Sequence, residues 1–233
     1  MRGREASRER IAGRGVLSVG EPSPAGLPAG WTACALSSIT RLESGHTPDR
    51  NISDYWDGSF PWIGIRDARR FRNGTVFETE TTVTLDGINN SATRLLPAGT
   101  VCLSRTASVG YAVVMGREMC TSQYFVNFVC TSAIAPRYLQ LVFRAEGDAL
   151  RRFSKGAVHQ TIYCPEVKAF HVLLPPRAEQ ERILAKADQL MKDLDELSVR
   201  LARRDSTQSR VAAPICTHRN ASRQPSHLPG DRA

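Results

Sequence analysis

Paired cysteines, a membrane span and a nucleotide loop are all missing from this chain of 233 residues. Its six cysteines are scattered with no C-x-x-C pair, and its five histidines form no ligand cluster. That excludes a disulfide framework and a zinc site, and leaves the thiols as small buried or neutral groups. No apolar run approaches the roughly 20 residues that a bilayer requires. The first residues are rich in Arg and Gly and contain no apolar h-region, so no secretory signal is expected and the chain reads as cytoplasmic. No P-loop is present, which excludes an NTP-driven motor. A Gly-rich cofactor loop and an Asn/Asp-Pro-Pro-Tyr motif are also missing, so the chain is not expected to transfer methyl groups itself. No cofactor and no metal are expected. No internal repeat of fixed period is visible.

What is present is positive charge. The formal net charge is +8 and the pI is about 9.5. Residues 1–30 hold five Arg against three Glu, and residues 205–233 hold four Arg against two Asp. The remainder is spread over the middle of the chain, so charge alone does not name a polyanion partner. Two local clusters are more telling: Arg66, Arg69, Arg70 and Arg72, then Arg144, Arg151, Arg152 and Lys155. Each suits phosphate contact, and each also suits a solvated face.

The organisation reads as four parts. Residues 1–29 are Gly, Pro, Arg and Ser without periodicity, a composition expected to stay disordered. From Trp31 to about Ala135 the signals are strand-like. "TVTLDGI", "GTVCLS" and "SQYFVNFVC" carry β-branched and aromatic residues between Gly, Pro and Asn punctuators. From Pro136 the period becomes helical, with Tyr138, Leu139, Val142 and Phe143 on one face. "FHVLLPP" reads as one more buried strand. The fold class is therefore mixed α/β, of the α+β kind, with a strand-rich module over residues 30–174.

A helix should follow the two prolines and run over residues 175–204. Proline suits helix entry, and Glu179 and Glu181 lie near the positive end of the dipole. Ile183, Ala187, Leu190, Leu194, Leu197 and Leu201 then recur at alternating intervals of four and three. That is a heptad seam of about three repeats, narrower than the stripe of a helix packed on its own domain. It points to a partner helix and to a rod of about 40 Å. Residues 205–233 read as a disordered tail or linker.

The segment Gly30 to Ala68, "GWTACALSSITRLESGHTPDRNISDYWDGSFPWIGIRDA", resembles the opening of a target recognition domain from type I restriction–modification specificity subunits. The resemblance rests on Trp31 after a Pro–Gly turn, the loop Gly45 to Pro48, Tyr55 with Trp56, and the run Pro61 to Ile63. It continues through "LPAGTVCLSRTASVG", "CTSQYF", "GAVHQTI" and "LLPPRAEQERI", in order, over about residues 27–204. It implies a mixed α/β module whose loops read one half of a bipartite site in double-stranded DNA. It further implies a spacer helix that packs on a second such helix, methylation and restriction subunits as partners, and no chemistry in the subunit itself. A complete specificity subunit carries two modules and two helices, whereas one of each is legible here. The chain is thus expected to be a half-subunit that forms a homodimer, or a truncated relic.

Candidate contacts follow from residue chemistry. Gly45, His46 and Thr47 form a loop whose N–H and hydroxyl groups suit phosphate, and equally suit an ordinary turn. Ser104 and Arg105 follow a strand at a tight turn, and Arg66 lies in the basic cluster; Arg reads guanine, grips phosphate or makes a surface ion pair. Gln123 with Tyr124 offers an amide for adenine, or a strand-end cap. Arg151 and Arg152 near a helix end suit phosphates, and Lys155, His159 and Gln160 lie in a polar loop. Tyr55, Trp56 and Trp62 are expected to pack in the core. Two other classes remain on the page. Asp148 with Glu166 and Lys168 could serve a magnesium-dependent nuclease. A coiled-coil scaffold without DNA contact would need only the helix.

Overall fold

The computed structural model describes residues 17–19, 26–72, 74–106, 108–155 and 161–218, with backbone only at 19, 148, 203 and 205–218. The described residues divide into two compact units, residues 1–184 and residues 185–233.

In the first unit the strands form three sheets. The largest has β3 (Thr40–Ser44), β10 (Phe125–Cys130), β7 (Val101–Ser104), β8 (Ala112–Met115) and β5 (Thr75–Val76) in that order. All its pairings are antiparallel except β5 with β8. β7 and β8 are buried at every position. Val101 and Leu103 face one apolar cluster and Cys102 faces another, so both faces are covered. Such a strand is written as a continuous apolar run and not as an alternation. The helix α4 (Pro136–Glu146) covers one face with Tyr138, Leu139, Val142 and Phe143, all buried, as the 3.6 period predicts. β4 (Trp56–Ile63) lies between β6 (Thr82–Val83) and β9 (Cys120–Thr121) in a second sheet and contributes Ile63 to the other cluster.

The third sheet has the order β1 (Leu17–Val19), β11 (Phe170–Leu174), β2 (Thr32–Ala35), and the short helix α1 (Leu36–Ile39) follows β2 directly. The buried strand expected at "FHVLLPP" is its centre. β1 corrects the expectation that residues 1–29 contribute nothing. Leu17 is only 1% exposed in the core. Its N–H donates to Glu146 Oε1 at 3.2 Å, and its carbonyl accepts from Arg152 Nη2 at 3.1 Å. Arg152 also pairs with Glu146 at 2.7 Å, where the carboxylate is 2% exposed. Arg152 is thus a fastener for a buried acid and an edge strand, a role the sequence did not suggest. Arg152→Ala leaves that carboxylate short of its charged partner and should cost about 3 kcal/mol. A urea midpoint that gives a loss below about 1 kcal/mol would refute this role. Truncation through residue 29 should lower the midpoint comparably.

Two further expectations change. "TVTLDGI" is a strand only at Thr82–Val83, because the Thr84 hydroxyl accepts from Gly87 N at 3.0 Å and caps the short helix α3 (Leu85–Asn89). The long helix α6 runs Arg177–His218, past the end expected near Arg204. Its entry is fixed by a residue the sequence did not flag. Gln180 is fully buried. Its amide donates to Ala133 O at 2.9 Å and Pro175 O at 3.0 Å and accepts from Ala135 N at 2.8 Å. Pro176 O accepts the first helical bond, from Gln180 N at 3.0 Å. The Gly30 turn, with φ +81°, brings the position of a Cβ within 3.0 Å of the Pro176 ring, so the chain entry and the proline junction pack together.

Candidate nucleic-acid interface

The loop after β3 is held by the chain itself on every side. A Cβ at Gly45 would lie 2.1 Å from Ser122 O and 2.3 Å from Thr121 Oγ1, so the backbone there touches the end of β9. His46 N donates to Thr121 O at 2.9 Å. Trp62 Nε1 donates to His46 O and Trp56 Nε1 to Asp49 O, each at 3.0 Å. The two indoles meet edge to face at 5.6 Å between centroids, and Arg50 stacks over both. The tryptophans expected in the core therefore do more than fill it: their N–H groups fix the loop Gly45–Asp49 in place.

The same loop reaches the next candidate. The Thr47 hydroxyl bonds the Gln123 side-chain oxygen. Arg105 N donates to Tyr124 O at 2.8 Å, and its guanidinium donates to Gln123 O at 3.3 Å and to Cys164 Sγ at 3.5 Å. Its Nε is buried without a partner. Arg105 O in turn accepts from Ile162 N at 2.9 Å, and Thr161 bridges to both Thr106 and Lys155. Tyr124 and Tyr163 stand exposed beside this hub. The structure thus joins Gly45, His46, Thr47, Arg105, Gln123, Tyr124 and the backbone of Lys155 in one bonded set drawn from four segments.

Other candidates fall differently. Ser104 is fully buried; its hydroxyl donates to Ser108 O and accepts from Tyr111 N at 2.9 Å, so it shapes the turn and does not face a ligand. The Lys155 ammonium lies 2.5 Å from Glu166. Their hydrogen bond, reinforced by opposite charge, pushes the lysine above its usual range and the glutamate below its own. Arg66 projects from the helix α2 (Ile65–Arg70) and pairs with Glu80 at 3.9 Å. Arg151 lines a small cavity together with Arg72. His159 and Gln160 lie outside the described residues. Cys164 and Tyr163 were missed: neither sits in a motif, and only the folded chain brings them to Arg105.

The nuclease candidates are Asp148, Glu166 and Lys168. Glu166 is held by Lys155, and it lies with Lys168 in a five-residue helix, α5 (Cys164–Lys168), while Asp148 belongs to the turn Gly147–Phe153. Among the described residues no three His, Cys, Asp or Glu side chains gather as a metal site would. No described helix is long and apolar enough to cross a membrane. On α6, Ile183 packs against the core of its own module, which removes it from the seam assigned to a partner. Ala187 is half-buried, and Leu190, Leu194, Leu197 and Leu201 are 50–58% exposed.

Comparison with known proteins adds the family. A model of the type I restriction modification DNA specificity domain matches residues 28–201. The chain is 24% identical over 159 residues to the type I restriction enzyme MjaIX specificity subunit of Methanocaldococcus jannaschii, covering 67% of this chain and 37% of that protein. It is 25% identical over 171 residues to the EcoR124I/EcoR124II specificity subunit of Escherichia coli, covering 69% and 42%. Among solved structures, a chain of the type I R-M system superposes with a TM-score of 0.66 at 19% identity, over 90% of this chain and 51% of that one. The HsdS subunit from Thermoanaerobacter tengcongensis gives 0.60 at 20%, over 84% and 48%. The chain thus spans about half or less of each of these relatives.

Proposed function

The chain belongs to the family of type I restriction modification DNA specificity domains, and on that premise we propose that it reads one half of a bipartite double-stranded DNA site for a type I restriction–modification complex. It performs no chemistry in this reading. Methylation and restriction subunits dock on it, and α6 pairs with the equivalent helix of a second copy, which carries the other half-site. The observation that carries the reading is the bonded set around Arg105. Four segments far apart in sequence meet there, and the loops bear exposed hydroxyl, amide and aromatic groups on a scaffold of sheet and tryptophan. Loops fixed by a rigid scaffold are what base readout requires, because a contact to a base edge tolerates little positional freedom.

The test is selection from a random duplex library by the purified chain with its methylation subunit, followed by binding to the selected and scrambled duplexes. Enrichment of one half-site supports the reading. Retention of no duplex would leave a scaffold that acts through α6 alone. Arg105→Ala should weaken the selected duplex by about 1–3 kcal/mol and the scrambled one much less. Its guanidinium holds Gln123 and Cys164, so its loss lets the readout loop drift. Equal losses on both duplexes would reduce Arg105 to a non-specific contact.

A further inference from the structure

We propose that the cavity between the β7–β8 turn and the end of α4 seats one phosphate group, and that this phosphate is a backbone diester of the bound duplex. The second clause rests on the reading above; the first does not. The cavity measures about 230 Å³. Among the described residues, Arg72 and Arg151 line it with Ser108 and Tyr111. The Arg72 guanidinium lies 5.3 Å from the Tyr111 ring centroid. Stacking of that kind fixes the plane of the guanidinium and leaves its edge N–H groups for an oxyanion. Arg151 also keeps a protein contact, and five donors suffice for both. Ser108 and Tyr111 add hydroxyl donors.

The floor is kept low by glycine. Gly110 has φ +103°, and a Cβ there would lie 3.3 Å from Gly147 O; Gly147 has φ +49° and closes α4. Two residues without side chains let a bulky anion approach the backbone. The described residues of the turn are tied to Ser104. Gly110 N donates to Ser104 O at 3.1 Å, while the Ser104 hydroxyl holds Ser108 and Tyr111. Ser104 is followed at once by Arg105, the centre of the readout set. Ser104 therefore links the phosphate seat on one flank to the base-reading loops on the other, which would fix the register of the duplex against them.

The experiment compares the wild-type chain, the Arg72→Gln, Arg151→Gln double variant and the Arg72→Lys, Arg151→Lys double variant, each with its methylation subunit. Binding to selected and scrambled duplexes is measured between 50 and 200 mM KCl. The Gln variant should flatten the salt slope by about 0.9 on both duplexes, the value for one phosphate, so wild type loses about 3.5-fold more affinity over that range. The Lys variant should keep the slope. In parallel, melting of the chain alone is followed in sodium phosphate and in sodium chloride at equal ionic strength. Phosphate should raise the wild-type melting temperature and leave the Gln variant unmoved, while melting in chloride reports whether each variant is folded. If wild type binds no duplex yet the phosphate shift is lost in the Gln variant, the seat stands and the DNA reading falls. If the shift is lost but the slope is unchanged, free phosphate and not a diester is the ligand. A folded Gln variant with both slope and shift intact overturns the seat.

Discussion

Gly45→Ala should cost about 3–5 kcal/mol of stability, lower the melting temperature by about 10 °C and reduce binding to the selected duplex about 100-fold. The added methyl would lie 2.1 Å from Ser122 O, 2.3 Å from Thr121 Oγ1 and 2.6 Å from Thr121 O. These atoms cannot retreat. Ser122 N is bonded to Ile63 O at 3.0 Å, and Thr121 pairs with Ile63 in the β4–β9 ladder. The loop must therefore leave, and it takes with it the bonds from His46 N to Thr121 O and from Trp62 Nε1 to His46 O. Each is worth about 1 kcal/mol, and the steric clash adds about 1–3 more. Thr47 then no longer reaches Gln123, so the bonded loop set comes apart with the fold still largely present.

Gly116→Ala is the control. Its methyl would lie 2.4 Å from the Phe77 ring, but Phe77 is an exposed side chain that can swing away. The cost there should stay below about 1 kcal/mol. Differential scanning calorimetry and duplex binding on the two variants decide the matter. A Gly45→Ala protein that melts and binds like wild type would show that the loop is not built as described.

Sequence was a good guide wherever the signal was local. The helix from Pro136 declared itself by period, and the strands β7, β10 and β11 by β-branched and aromatic runs between punctuators. The double proline marked the entry of α6. It was a poor guide wherever a residue's task is set by a distant partner. Leu17 lies in a stretch of Gly, Pro and Arg that reads as unfoldable, and it is a strand because it pairs with Val172 of β11 and bonds to Glu146 and Arg152. Ser104 and Arg105 are neighbours at one turn, but one is turned inward to shape it and the other holds two loops. Gly45 was read for what its exposed N–H might bind, whereas its lack of a side chain matters more. Thr84 looked like the middle of a strand until its hydroxyl found Gly87, because capping competes with extended structure over only three residues. The site was thus legible as a roster of polar loop residues and illegible as a network, since hydrogen bonds between segments tens of residues apart leave no periodic trace.

Leu190→Glu with Leu194→Glu should convert the protein from a dimer to a monomer. Four seam leucines stand half exposed in the single chain, where an apolar side chain gains nothing from water. Full burial of a leucine is worth about 1.5–3 kcal/mol, and these are already half covered, so each contributes about 1 kcal/mol on pairing. Four per helix, counted on both helices, give about 8 kcal/mol before the cost of association. That places the pair in a weak to moderate range, in which two residues per helix decide the outcome. Glutamate at both positions removes about half of that gain and sets four carboxylates against one another in the seam. Lys192→Glu, at an outward position two residues after Leu190, should leave the pair intact. Light scattering should give twice 25.7 kDa for wild type and for Lys192→Glu, and 25.7 kDa for the double variant. Duplex binding should respond in kind. In the proposed reading the monomer would keep its contacts to one half-site and lose the gain from holding two at once, so a bipartite duplex should bind no better than a single half-site. A wild type already monomeric at high concentration, or a double variant of unchanged mass, would remove α6 as the pairing element.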